Sequence, residues 1–151
     1  MHTIVRYYIK TSIVFLFTGI ISGFYMLIIK EIPGQYPDSQ IITAHTHVIL
    51  VGFVMMMIFG VAQWMFPRPS KEDKHYSPQR ALFIFWLMAI SIIIRTISEI
   101  LNSFLSSFVL SGLIILGSLG EATGIILFFY NMWTRIRPVG SHIREAEGEK
   151  F

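Results

Sequence analysis

The stretch TAHTHVILVGFVMMMIFGVAQWMFP, residues 43–67, is apolar almost throughout, yet it opens with two imidazoles, His45 and His47, one threonine apart. About 20 apolar residues in a helix cross a hydrocarbon core, and this run is long enough to do so. Three further runs match it, so the sequence predicts four membrane spans over residues 8–29, 41–66, 81–101 and 107–133. The expected fold is all-α, a four-helix transmembrane bundle forming one domain over residues 1–137, followed by a polar tail over 138–151. Turn residues separate the spans. Pro33, Gly34 and Pro37 fall between the first two, Pro67 and Pro69 close the second, and residues 102–106 form a tight link before the last.

Composition agrees. Of the 151 residues 54% are hydrophobic and 14% charged, with a mean hydropathy of +0.62. That is too little charge to cover a soluble surface. Arg6 and Lys10 before an apolar run suggest a secretory signal. The run is longer than the usual h-region and no A-x-A-like site follows it, so the first span is expected to be retained. Cysteine is absent, which excludes disulfides, thiolate metal sites, thiol catalysis and haem attached through CxxCH. Metal ligands must therefore come from histidine, methionine and carboxylate.

The net charge of +3 follows the spans and gives no sign of nucleic-acid binding. Arg6 and Lys10, then Arg68, Lys71, Lys74 and Arg80, then Arg135, Arg137, Arg144 and Lys150 all fall on one side, with little beyond Lys30 on the other. The positive-inside rule puts both termini and the middle loop in the cytoplasm, as in a multi-pass protein of the inner (cytoplasmic) cell membrane. His45 and His47 then lie within roughly 10 Å of the outer boundary.

Titratable groups inside a span are costly, and each needs a reason. Residues i and i+2 on a helix point about 200° apart, so His45 and His47 cannot bind one metal from a regular helix. Both can be interfacial polar residues, or each can hold a separate group. Arg95 and Glu99, one turn apart on the third span, read as an i,i+4 ion pair. Arg95 also lies near the histidine depth, where it could hold an anion. Glu121 sits in GSLGEATG, residues 117–124, whose Gly120 and Gly124 repeat the GxxxG spacing of Gly19 and Gly23 on the first span. Such spacing permits close helix approach, within one bundle or between subunits. Met26 near the outer end of the first span is a candidate thioether ligand, whereas Met55, Met56 and Met57 point in three directions and read as packing.

Residues 44–68, AHTHVILVGFVMMMIFGVAQWMFPR, resemble the second helix of the catalytic subunit of haem–copper oxidases and nitric oxide reductases. Residues 124–137, GIILFFYNMWTRIR, resemble the last helix of that subunit. The pattern His45, His47, Gly52, Phe53 is similar to that of small four-helix, oxidase-subunit-I-like proteins. In the full family the second helix supplies an axial histidine to a low-spin haem, so the resemblance implies that role for His45 or His47, with Arg95 meeting a propionate. The family's other haem histidines and its copper histidines lie on later helices. Here His2, His75 and His142 fall in the expected cytoplasmic segments, so no copper site or oxygen-reducing centre is expected within one chain.

The function expected on this basis is that of a membrane-bound b-type haem protein (heme b) carrying single electrons, with cytochrome c or quinol as redox partner. Any turnover would be that of an oxidoreductase. The second axial ligand would come from a second copy in a homodimer, one histidine serving each bundle, or from Met26. An open sixth position would instead suit nitric oxide, carbon monoxide or oxygen. Two other classes stand beside it: a cofactor-free assembly subunit of a respiratory complex, and a copper carrier using His45, His47 and Met26.

Overall fold

Four long apolar helical spans, Thr3–Glu31, Ser39–Met65, Pro78–Leu105 and Phe108–Arg135, form an antiparallel bundle. The structure is a computed structural model and describes residues 3–67 and 76–137, with Gly140 and Gly148. No strand occurs among them. The polar tail, the middle-loop cations Arg68, Lys71 and Lys74, and His2, His75 and His142 lie outside the described residues.

Side-chain caps set the starts of the second and third spans. The first span is α1, Thr3–Glu31. The second starts as α2, Ser39–His47, where the Asp38 carboxylate accepts from the Gln40 N–H at 2.8 Å. It continues through a π-helical segment, Val48–Met55, into α3, Met56–Met65. It stops where Phe66 turns extended (ψ 147°) ahead of Pro67, as a residue before proline prefers. The third span, α4, is Pro78–Leu105, with Ser77 as cap and Pro78 in its first turn. The fourth, α5, is Phe108–Met132, closed by a 3-10 turn at Trp133–Arg135. The link between α4 and α5 is shorter than expected. Asn102 is still helical, and only Ser106, left-handed at φ 42°, and Ser107 intervene. The Asn102 side chain closes this turn by accepting from the Ser107 N–H at 3.0 Å.

The π segment has a packing reason. The second span buries Ala44, Val48, Gly52 and Met56, four residues apart. At 3.6 residues per turn such a stripe drifts around the helix. The looser i→i+5 winding, seen where the Met56 N–H meets the Val51 carbonyl, holds it in phase.

Packing is tightest at the end away from the histidines. Phe59 of α3 stacks on Phe128 of α5 at 3.7 Å between ring centroids, and Tyr8 of α1 meets both edge-on together with Phe85 of α4. Met56, Ile84, Met88 and Met132 fill the space around them. Below this core Asn131 ties α5 to the start of α4, accepting from Ser77 N–H at 3.0 Å and donating to its carbonyl at 3.4 Å.

Both GxxxG patterns act within the chain. A Cβ on Gly19 would strike the Ile49 side chain, one on Gly23 would meet the His45 ring, and ones on Gly120 and Gly124 would meet Ser91 and Met88 of α4. The hardest contact is at Gly117, where a Cβ would stand 2.8 Å from Arg95 Cβ and 3.0 Å from the Ser91 carbonyl oxygen. Backbone and Cβ atoms cannot rotate aside. Gly117→Ala should therefore push α4 and α5 apart and cost about 1–3 kcal/mol, read as a lower midpoint in detergent unfolding.

Candidate functional site

The two histidines end α2 and diverge, as their two-residue spacing requires. His45 turns towards α1. Its ring lies over Gly23, where an added Cβ would come 3.0 Å from Cε1. Its Nδ1 is 3.1 Å from the Gly19 carbonyl oxygen and 3.0 Å from the Ser22 hydroxyl. Ser22 itself donates to that same carbonyl at 2.9 Å. A carbonyl oxygen only accepts, so this contact puts the ring proton on Nδ1 and leaves Nε2 as the lone-pair nitrogen.

His47 faces another way and reaches the same chemical state. Its Nδ1 lies 3.0 Å from the Thr43 carbonyl oxygen one turn back, so Nδ1 donates and Nε2 is again the lone pair. It lies within electrostatic range of Glu121 of α5. A ring held at Nδ1 by a carbonyl, with Nε2 free, is the arrangement typical of a metal-ligating histidine.

A cavity of about 30 Å³ lies between α1, α2 and α4, lined by His45, Ser22, Thr18 and Thr96 among others. The buried Thr96 hydroxyl finds no partner among the described groups. The cavity is water-sized. Small-molecule sites occupy roughly 300–1,000 Å³, so no porphyrin fits on the inner side of His45. The backbone of α5 runs close to that of α4 and is farther from the other helices.

Arg95 joins two carboxylates. Its Nε donates to Glu99 Oε1 and its Nη1 to Glu121 Oε2, both at 3.0 Å. The Arg95 side chain is 14% exposed, while Glu99 and Glu121 are 1% and 3% exposed. Glu99 Oε2 and Glu121 Oε1 are buried without a hydrogen-bond partner among the described residues. With both carboxylates ionised the cluster carries one surplus negative charge and would repel an anion. Arg95 can meet a propionate only when a carboxyl is neutral.

The structure thus brings His47 near the Arg95 cluster and sends His45 to α1. Met26 lies about one turn beyond the Ser22–Gly23 seat, half-buried. Among the described residues no three His, Asp or Glu side chains converge as a metal site. The i,i+4 spacing signals the Glu99–Arg95 pair, but nothing in the sequence signals that Glu121, 26 residues on, completes it. Gly23 signals a close approach without saying that His45 makes it, and Ser22 carries no signal.

The family described as Cytochrome C and Quinol oxidase polypeptide I matches the chain over residues 3–149. No curated protein and no solved structure matches it significantly.

Proposed function

The chain belongs to the cytochrome c and quinol oxidase polypeptide I family, and from that premise we propose that it is a membrane-bound b-type haem protein that passes single electrons. The observation that carries this reading is His47. Its Nδ1 is fixed on the Thr43 carbonyl, and its Nε2 has no hydrogen-bond partner among the described residues. Neutral imidazole is a good iron ligand. His47 is the axial ligand of this proposal, and His45 is the histidine that seats α2 on α1.

Bound haem would supply a one-electron couple. The chain's own residues hold and orient it: the Thr43 carbonyl fixes the His47 ring, and Arg95 faces a propionate once a neighbouring carboxyl is neutral. A single chain offers His47 no second histidine, because His45 points elsewhere. A second copy, giving its own His47 across a two-fold axis, completes the coordination. Met26 lies one turn beyond the seat of His45 on α1, so it could serve as a ligand only if His45, and not His47, held the haem. In the orientation set by its cationic residues, this site lies near the outer face of the inner membrane, within reach of a cytochrome c or of quinol.

Optical spectra of the purified protein, oxidised, reduced and reduced with carbon monoxide, test this. The expected result is a b-type reduced spectrum unchanged by carbon monoxide, with one haem per two chains. His47→Ala should abolish the Soret band, whereas His45→Ala should keep it with a lower unfolding midpoint. Loss in His45→Ala with retention in His47→Ala would reverse the assignment. A carbon monoxide shift would turn the reading to gas binding, and a colourless protein that takes up no haem would leave the assembly-subunit reading.

A further inference from the structure

The Glu99–Arg95–Glu121 cluster holds two acids and one base in the apolar interior, and its charges do not cancel. Arg95 satisfies one oxygen of each carboxylate. The other oxygens, Glu99 Oε2 and Glu121 Oε1, are buried with no donor among the described residues. An uncompensated buried charge is expensive, and in practice such a group takes up a counter-charge.

The surrounding elements supply no fixed cation. On α4 itself the cations are Arg95 and, at the far end of the helix, Arg80. From α5 comes Glu121 alone in this half. The π segment has no titratable residue. On α1 the nearest are Lys30 and Glu31 at the helix end, which pair with each other in the open at 3.8 Å. From α2 come His45 and His47, each with its Nδ1 on a backbone carbonyl, and His47 is within electrostatic range of Glu121.

We infer that Glu99 and Glu121 share one exchangeable proton around Arg95, making the cluster a proton-binding site inside the membrane. An O–H bond forms on one carboxylate oxygen with a proton from water, and the cluster goes from one negative charge to none. The remaining carboxylate stays ionised against the guanidinium. This inference does not rest on haem and holds for the haem-free protein.

Every other acidic residue lies at or beyond the end of a span. A protonated carboxyl at neutral pH therefore reports on these two positions. The experiment is infrared spectroscopy of the full chain in lipid vesicles at neutral pH, in water and after transfer to heavy water. The expected result is a protonated C=O stretch equivalent to one carboxyl per chain that shifts in heavy water. It should vanish in Glu99→Gln and equally in Glu121→Gln, because either change leaves one carboxylate matched to one guanidinium. Glutamine can still accept from Arg95, and the native spectrum tests the claim even if a variant fails to fold. No such stretch in the native protein would overturn the inference and place the counter-charge elsewhere, such as on His47. A stretch that survives one of the single substitutions would overturn the sharing, since one acid would then be protonated on its own account.

Discussion

Arg95→Met should destabilise the protein by about 3–5 kcal/mol, the usual cost of removing one partner from a buried ionic cluster. The loss comes less from the two hydrogen bonds than from what remains, the ionised carboxylate of the Glu99–Glu121 pair in an apolar interior without its cation. Two further results separate this cause from simple loss of packing. The deficit should shrink as pH falls, because protonation removes the stranded charge. Combining Arg95→Met with Glu99→Gln and Glu121→Gln should recover most of the stability, since wholly neutral replacements of buried ionic groups are often tolerated. Unfolding in mixed detergent micelles, run on the single and triple variants at two pH values, measures both. A triple variant no more stable than Arg95→Met would show that the side-chain volume matters and the charge does not.

Arg135→Met is the second large effect, about 3 kcal/mol from charge-assisted hydrogen bonds to carbonyls that are then left bare. The guanidinium donates to Pro67 and Gln63 carbonyls at 2.9 Å and to that of Phe66 at 3.1 Å. These are orphan acceptors at the end of α3, where a cation also meets the negative end of the helix dipole. Its carbon centre lies 4.7 Å from the middle of the Tyr76 ring, which covers its face. The last span is in this way fastened to the end of the second. Arg135→Lys should rescue little, because a single ammonium cannot reach three carbonyls in a planar fork. The same unfolding assay checks it, and a lysine variant of native stability would show that charge alone suffices.

Arg135 also shows where a sequence is silent. In the sequence it is one more cation marking a membrane face, and a capping arginine looks no different from a solvated one. The four spans were legible because apolar runs of sufficient length allow few other structures. The divergence of His45 and His47 was legible from helix geometry, and the Glu99–Arg95 pair from its spacing. Partner choice between spans was not. That Glu121 faces Arg95 depends on which side of α5 the small residues Gly117, Gly120 and Gly124 present to α4, and GxxxG alone does not say what it receives. The π segment was invisible too, because VILVGFVM is equally apolar however it is wound.

That segment acts as a phase adjuster between two halves of one rod. On one side of it Gly60 must stay against Tyr8 and Ile9 of α1, and on the other His45 must stay over Gly23 of the same helix. A residue added to or removed from a helix turns everything beyond it by about 100°. Winding all of Val48–Met55 as a plain α-helix would leave the aromatic core seated while swinging the imidazoles off their bearings. A chain of identical hydropathy would then keep its four spans and lose the alignment of its chemistry.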